Sequence, residues 1–319
     1  MNKSLLQDKC IAKQHGIALV LVLWLVLALA GIASGFIYMV RLEAQAVNNQ
    51  KLKASALALA EAGIVHAAFL LKNDTTILDS LNDEWAKPVE QQLGEGTYSV
   101  TIVDEERKAN INYASETTMV KIGIRQDLAK EIIEYRKNNG LLDTITEIRM
   151  INGMDNDSYR LINDNLTTMG EININMADSA VLAGLMNGLG IEANKADRLA
   201  DEIVERQPFT TVDNLSEIVG DEIYPVLKPV ITTAGGININ TALEPILSAY
   251  EVDSEIIRSR PVEGIDESLQ KIFTISSKYF SVTATGNNKG MCKTIHAILK
   301  RTKKDGKWEI EHVYWLEDE

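Results

Sequence analysis

The chain has 319 residues, of which 45% are hydrophobic and 24% are charged. These proportions are those of a globular protein and exclude wholesale disorder. The formal net charge is −13, and residues 109–270 alone contain 13 basic and 27 acidic side chains. Because proteins that bind nucleic acid or anionic membrane surfaces normally present a basic face, the charge of this middle segment disfavours both functions.

The first predicted element is an apolar helix near the N-terminus. Residues 17–40 form a run of 24 positions whose only ionisable side chain is a tyrosine. As a helix this run is about 36 Å long, which exceeds the roughly 30 Å hydrocarbon core of a bilayer. Lys3, Lys9 and Lys13 precede it, and they favour a cytoplasmic N-terminus with the bulk of the chain outside. A cleaved secretory signal is the alternative, but its apolar region spans only about 7–15 residues.

The helical pattern continues beyond the apolar run. No proline occurs from Arg41 to Leu71, and apolar or small residues recur there at spacings of three and four. These positions are Leu52, Ala56, Leu59, Gly63, Ala67 and Leu70. The pattern predicts one continuous stem helix over residues 17–72, apolar all round in its first half and amphipathic in its second.

The N-terminal region resembles a known family of processed membrane proteins. The letters KQHG at residues 13–16, followed by IALV at 17–20, resemble the processing site of type IV pilins and type II secretion pseudopilins. In that family a prepilin peptidase cuts after the glycine that ends a short basic leader. The resemblance therefore implies a leader at residues 1–16, with Gly16 its last residue and Ile17 the first mature residue. The letters AEAG at 60–63 also match the stems of minor pseudopilins.

One departure from the family pattern indicates which member of the family the chain resembles most. Most members have a glutamate at the fifth mature position, which pairs with the amine of a neighbouring subunit, whereas this chain has Leu21. A carboxylate in hydrocarbon is costly unless it is paired, so a subunit with nothing above it gains nothing from one. This is typical of the K subunit, general secretion pathway protein K, a minor pseudopilin at the filament tip. The resemblance implies that Leu21 and Glu61 belong to the helical assembly core. An ordinary membrane anchor is the alternative interpretation of Leu21.

After the stem, the pattern predicts a small antiparallel sheet. Residues 73–94 are polar, contain Pro88 and indicate a loop or short helical pieces. Alternating, β-branched or apolar runs predict strands at residues 97–103, 279–284, 294–299 and 309–315. The predicted fold class is α+β, with the stem helix packed on the sheet of a pseudopilin frame. That frame comprises residues 73–108 and 271–319, and an all-α domain at 109–270 is inserted into it.

The inserted segment contains an internal repeat. An Asn-x-Asn-x-Ala pattern at residues 109–114 returns at 172–177 and at 237–242, with offsets of 63 and 65. We expect the second asparagine of each copy to cap the following helix, with a ligand-binding role as the alternative.

The repeat resembles helix-hairpin-helix modules of K subunits and of a competence DNA receptor. In DNA-binding versions, a hairpin with two glycines presents backbone N–H groups to a phosphate. Residues 122–125 have arginine where the second glycine would stand, and residues 188–190 keep both glycines in an acidic stretch. The third copy is predicted to lack the hairpin and to degenerate after about residue 260. These features favour a structural or protein-docking domain.

The sequence predicts no catalytic constellation. The four histidines lack the spacing of zinc ligands, and no nucleophile triad or phosphate loop is evident. Asp155 and Asp157 are the candidate metal ligands, and calcium is the possible cofactor, although none is required. Their spacing departs from the EF-hand pattern, and a solvated acidic surface is the alternative.

The resemblance implies a non-enzymatic minor pseudopilin that caps the type II secretion pseudopilus and helps to initiate its assembly for export across the outer membrane. The implied partners are the I and J subunits, the prepilin peptidase and the inner-membrane secretion assembly, with no nucleic acid. The implied location is a single pass through the inner membrane with the bulk in the periplasm. A membrane-anchored helix-hairpin-helix DNA receptor and a minor type IV pilus subunit are the alternatives.

Overall fold

The structure is a computed structural model that describes the backbone of residues 5–318 and the side chains of residues 18–318. Its α-helices are α1 Leu5–Lys72, α2 Glu116–Ile122, α3 Gln126–Asn139, α4 Asn156–Asn165, α5 Ser179–Gly188, α6 Ala193–Glu205, α7 Ser216–Leu227, α8 Glu244–Ala249, α9 Ser254–Arg258 and α10 Glu267–Gln270. Its strands are β1 Val89–Leu93, β2 Gly96–Asp104, β3 Ala109–Asn110, β4 Leu166–Thr167, β5 Ile172–Asn173, β6 Ile231–Thr232, β7 Ile237–Asn238, β8 Phe273–Thr274, β9 Tyr279–Asn288, β10 Met291–Lys304 and β11 Lys307–Glu317. Short 3₁₀ helices lie at Glu84–Ala86, Glu105–Arg107, Ile145–Met150, Val212–Leu215 and Lys228–Val230.

The long strands form one five-stranded sheet in the order β1-β2-β9-β10-β11, and every neighbouring pair is antiparallel. The four predicted strands are confirmed, and each is longer than predicted. The prediction of a loop or short helical pieces is confirmed for residues 73–88, which include the 3₁₀ helix Glu84–Ala86, but it was wrong for residues 89–93, where β1 pairs with β2 along its full length. Apart from Val89, β1 has no β-branched residue, so its extended conformation depends on hydrogen bonds to β2 rather than on its own pattern.

The stem helix packs on one face of this sheet, as predicted. The residues of α1 that are buried against the sheet are Ala56, Leu59, Ala60, Gly63, Ile64, Ala67 and Leu71. The approach is close, because a Cβ atom on Gly63 would lie 2.9 Å from both Ala284 Cβ and Val100 Cγ2. Trp85 and Phe280 close the core with an edge-to-face contact at 5.1 Å between ring centroids. We call this sheet, together with the packed half of α1, the frame.

Helix α1 includes the described part of the predicted leader and reaches back to Leu5, the first residue whose backbone the structure describes. The prediction of one continuous helix through Lys72 is confirmed.

The rest of the chain is inserted between β2 and β9, which are neighbours in the sheet. It consists of three helical copies, each closed by a parallel pair of two-residue strands: β3 with β4, β5 with β6, and β7 with β8. The first and third copies share one hydrophobic core, which includes Ile111 and Ile239. The second copy has its own core around Ile174.

Candidate functional site

The first half of the stem helix has apolar side chains on all sides, and no other described part of the chain packs against it. Among the described residues, one helix is long and apolar enough to cross a membrane, with a mean hydropathy of 2.6 over its most apolar window. Every described residue from Ala18 to Lys51 is exposed, including Leu21 at 65%. Such a surface is unstable in water and requires lipid or other helices around it. The predicted cleavage site, Gly16 and Ile17, lies outside the residues whose side chains are described.

The second half of the stem has a free face opposite the sheet. Glu61 lies on this face, and Val65 and Phe69 beside it are 68% and 61% exposed. Leu21 and Glu61 are separated by 40 positions on one helix, or about 60 Å. The structure therefore does not bring the two predicted assembly residues together within one chain, and both are exposed.

The first asparagine of each copy donates its side-chain amide to a backbone carbonyl that is distant in the sequence. The Asn110 amide donates to Met169 O (3.1 Å), and the Asn173 amide donates to Gly235 O (3.1 Å). The equivalent Asn238 amide donates instead to Asp104 Oδ2 (3.2 Å) in β2 of the frame and to Asp79 O (3.1 Å) in the loop after α1. The first asparagine therefore binds the segment that follows its own copy in the first two copies, and it binds the frame in the third copy.

The second asparagine clamps a distant backbone segment in each copy. Asn112 accepts from Leu142 N (2.8 Å) and donates to Leu142 O (3.0 Å), so it satisfies both polar groups of one residue. Asn175 does the same with Phe209, and Asn240 with Val262. The predicted helix cap was wrong, because these amides are already used by the clamp. The caps of α2 and α5 lie three residues later, at Ser115 and Asp178.

A further side chain, which the sequence pattern did not reveal, holds each Asn-x-Asn turn. Arg136 donates to the carbonyls of Ile111 and Ala114. Gln207 and Arg260 donate to the two equivalent carbonyls in the second and third copies. The residue is arginine in the first and third copies and glutamine in the second, and its distance from the asparagines along the chain differs in each copy. No conserved residue type or spacing therefore reveals this position in the sequence.

All three copies contain the helical hairpin. Gly123, Gly190 and Glu251 occupy its left-handed position with φ of 107°, 87° and 59°. The residue after each donates its N–H to a carbonyl five positions earlier, at 3.0 Å in every copy. The prediction that the third copy lacks the hairpin was wrong, because Glu251 takes the conformation that glycine takes in the other two. The third copy also does not end near residue 260, since β8 closes it at Phe273–Thr274.

The second and third hairpins are poorly suited to a phosphate. In the second copy, Glu192 accepts from the backbone N–H groups of Asn194 (3.1 Å) and Lys195 (3.0 Å), and these bonds lower the pKa of Glu192. In the third copy, Asp253 accepts from Glu255 N (2.7 Å). The amides that would face a phosphate therefore already bind carboxylates of the chain itself, and a bound phosphate would meet repulsion there.

A buried polar cluster joins the third copy to the frame. Asp104 is 1% exposed, and its Oδ2 atom accepts from Thr241 (2.5 Å), Ser277 (2.6 Å) and Asn238 (3.2 Å). Burial raises the pKa of Asp104 to about 6 despite these hydrogen bonds. Glu106, next to it, is also buried, and burial raises its pKa well above the ordinary value. We call this cluster the junction.

Arg301 supplies a buried positive charge beside the junction. It is 1% exposed and donates to Asp79 (2.5 Å), Asp74 (3.2 Å) and Ser277 O (3.0 Å). Its guanidinium also lies against aromatic faces, with Trp308 4.4 Å away. Burial nevertheless raises the pKa of Asp79, since the arginine offsets only part of the desolvation. Sequence reasoning missed this network because Arg301 is more than 200 residues from Asp74 and Asp79 in the chain.

The candidate metal ligands lie on the surface of the first copy. Asp155 caps α4 by accepting from Ser158 N (2.7 Å) and pairs with Arg125 (3.2 Å), while Asp157 is exposed in the first turn of α4. Within the part of the chain that the structure describes, the acidic side chains that converge are instead Asp74, Asp79 and Asp83. Arg301 already binds the first two of these. Calcium binding at Asp155 and Asp157 stays a prediction.

Comparisons with known proteins give two findings of similarity. Residues 104–167, the first helical copy, match the helix-hairpin-helix motif family. The chain is also similar to a chain in the crystal structure of the GspK-GspI-GspJ complex from the enterotoxigenic Escherichia coli type 2 secretion system, at 16% identity and a TM-score of 0.43. That likeness covers 88% of this chain and 99% of the other. No curated protein matches the chain.

Proposed function

We propose that this chain is a minor pseudopilin of the K type, anchored in the inner membrane with its frame and helical copies in the periplasm. The observation that carries the proposal is the division of α1 into two parts. Residues 18–51 are exposed, and those up to residue 40 form an apolar cylinder, whereas the part from Ala56 to Leu71 packs one face on an antiparallel sheet. A helix that only anchored the chain would need no such packed extension.

The proposal assigns roles to the predicted assembly residues. Prepilin peptidase would cut between Gly16 and Ile17, and the freed helix would join the stems of the I and J subunits and the inner-membrane secretion assembly. Glu61, Val65 and Phe69 lie on the free face of the packed half, where a sister stem has access. Leu21 would leave the filament without an acceptor for a further subunit, which supports a position at the tip, a cap function and a role in starting assembly for protein export.

The bulk of the inserted segment supports the same position. The three helical copies add about 160 residues between two neighbouring strands of a small frame. Subunits in a filament of stacked stems are closely spaced, and an insertion of this size would collide with a subunit above it. No catalytic role and no required cofactor form part of the proposal, and calcium at Asp155 and Asp157 is an optional addition to it.

The processing experiment tests the proposal directly. The full chain is expressed with and without a prepilin peptidase, and the N-terminus of the membrane-bound product is sequenced. We expect a product that begins at Ile17 only when the peptidase is present, and a Gly16→Leu variant that stays unprocessed. A chain of unchanged length in the presence of an active peptidase contradicts the proposal. A Gly31→Leu variant is the control, since nothing lies within 4 Å of that glycine.

The two alternatives predict different partners. A DNA receptor is less well supported, because carboxylates occupy the hairpin amides of the second and third copies. Duplex DNA titrated at low salt separates the two functions, since salt-sensitive binding at micromolar or tighter affinity favours the receptor. A minor type IV pilus subunit shares the stem and the sheet, and co-purification with I and J subunits distinguishes it from the K type.

A further inference from the structure

The two edges of the five-stranded sheet differ in length and polarity. The β1 edge has five residues, and its centre is Glu90, Gln91 and Gln92. The β11 edge has eleven residues, and its end exposes four large apolar side chains. Their exposures are 45% for Val313, 41% for Tyr314, 40% for Trp315 and 46% for Leu316. Proteins normally shorten, charge or cover sheet edges because an open edge invites another strand.

Strand β10, which already pairs with β11, indicates which kind of strand β11 binds. β10 carries Lys293, Lys300, Arg301, Lys303 and Lys304 and no acidic residue. β11 carries Glu309, Glu311 and Glu317 against a single lysine. Lys300 lies directly opposite Glu311 in the register. Opposite charges on paired strands stabilise the pair, and a strand on the other side of β11 would lie beside the same acidic side chains.

A cavity beside the edge offers room for a side chain. It has a volume of about 210 Å³ and lies between the sheet and the first helical copy. Ile298 and Tyr314 line it from the sheet, and Leu166 and Met169 line it from the helical copy. Tyr314 and Ile298 are opposite each other in the register, so the cavity opens next to the β11 edge.

From these three observations we propose that β11 is a docking site for an extended segment of a partner protein, which adds a sixth strand to the sheet. The segment is basic, with Lys or Arg opposite Glu309 and Glu311, and it carries apolar side chains that cover Tyr314 and Leu316. Main-chain hydrogen bonds hold such a strand, and the side chains select it. The extra residue of β11 at Val313, where the register with β10 shifts, divides the edge into an acidic part and an apolar part.

This docking site is separate from the stem contacts of the proposed function. The stem helix α1 packs on one face of the sheet, whereas the docking site is the β11 edge of the sheet. The site also does not depend on whether the chain is processed at Gly16. Loss of the docking activity and loss of the pseudopilin function are therefore distinguishable by the N-terminal sequence of the processed chain.

A peptide that copies β10 tests the proposal. The probe is a synthetic peptide of residues 294–302, titrated against the full chain in lipid nanodiscs. The matched control peptide carries Lys300→Glu and Arg301→Glu, which keeps the length and the apolar residues. We expect the control to bind at least tenfold more weakly. We also expect the β10 peptide to slow amide hydrogen exchange at residues 307–317. Equal binding of the two peptides, or no slowed exchange at 307–317, overturns the proposal.

Variants of the chain locate the contact. Leu316→Lys changes an exposed side chain and is expected to weaken the β10 peptide at least fivefold, with the thermal unfolding temperature unchanged. Glu309→Gln is a second variant and is expected to weaken it about threefold, because it removes one acidic neighbour. Gln92→Lys on the β1 edge is the control and should leave the affinity unchanged. A site at β11 is contradicted if the peptide slows amide hydrogen exchange at residues 89–93 and not at 307–317. It is also contradicted if Gln92→Lys alone lowers the affinity for the β10 peptide.

Discussion

The sheet of the frame meets the stem helix through apolar side chains, whereas the three helical copies depend on amide and guanidinium groups that bridge separate backbone segments. In the frame, Ala60, Ile64 and Ala67 are fully buried and need no hydrogen bond to hold the helix in place. In the copies, Asn112, Asn175 and Asn240 each satisfy a residue more than 20 positions away. Apolar packing tolerates small shifts, but a clamp requires its partner at a fixed distance.

The comparison also shows why the copies diverge so far in sequence. Helices α9 and α10 of the third copy have only five and four residues, yet the clamp geometry is kept in all three copies. The junction is held by hydrogen bonds, like the copies, and not by apolar packing, like the frame. Asn238 and Thr241 of the third copy donate these hydrogen bonds. Four changes, each assayed on the full chain in nanodiscs, test this division.

The largest effect is expected at Arg301. The change Arg301→Met leaves the buried carboxylate of Asp79 without its charge partner, and breaking a buried pair of this kind costs about 3–5 kcal/mol. Chemical denaturation measures the free energy of unfolding, and hydrogen exchange should rise in β9–β11 before it rises in the helical copies. The exposed Lys304→Met is the control and should change the stability by less than about 0.5 kcal/mol. Equal effects of the two changes would refute a structural role for Arg301.

The second effect concerns the clamp of the first copy. Asn112→Ala removes two hydrogen bonds and leaves the backbone N–H and C=O of buried Leu142 without partners, which costs about 2–3 kcal/mol. Hydrogen exchange should accelerate in residues 109–167 while β9 and β10 keep their protection. Asn139→Ala is the matched control, because its amide makes one exposed bond to Tyr135 O. An Asn112→Ala chain as stable as the control would mean that the clamp contributes nothing.

The junction predicts a pH dependence of intermediate size. Asp104 has a pKa of about 6 in the folded protein against an ordinary 3.8, so the folded state binds more protons between these values. Its contribution to the free energy of unfolding therefore increases as the pH falls from 7 towards 4, by about 1–2 kcal/mol at pH 5. Glu106 acts in the same direction. Exposed carboxylates with a lowered pKa, such as Asp155 and Asp213, oppose this only below about pH 4.

Asp104→Asn should remove part of that pH dependence. The test is thermal unfolding of the parent and the variant at pH 7, 6 and 5, and we expect the gain on acidification to be smaller in the variant. The Asp213→Asn chain serves as a control, since Asp213 is exposed and lies outside the junction. Identical pH profiles of parent and Asp104→Asn chains would show that Asp104 does not titrate in this range.

The smallest effect separates two glycines in the second hairpin. Gly190→Ala forces alanine into φ of 87° and should destabilise the copy by about 1 kcal/mol. Gly188→Ala lies at the end of α5 and should stabilise it by up to about 1 kcal/mol. Neither glycine has a neighbour within 4 Å of an added Cβ, so only the backbone conformation differs. Thermal unfolding of the pair should shift in opposite directions, and shifts of the same sign would contradict the assignment of the hairpin.

Much of the frame could be predicted from the sequence, because its strands alternate and its helix has an apolar stripe. The copies were visible as a repeat, but the function of their asparagines was not. An asparagine before a helix is typical of a cap, and only the position of Leu142 relative to Asn112 reveals a clamp. The third hairpin was missed because Glu251 adopts a conformation that the sequence associates with glycine. The junction was not predictable, since Asp79, Asp104 and Arg301 meet only in the folded chain.

The points where the insertion leaves and re-enters the frame have a practical consequence. The chain departs after Asp104 and returns at Tyr279, and Asp104 is paired with Phe280 in adjacent strands. A short tight turn could therefore connect the same two strands. Such a shortened chain would keep the whole apolar interface of the stem, and the helical copies could be exchanged between related proteins as a cassette if the partners of Asp104 at the junction were kept.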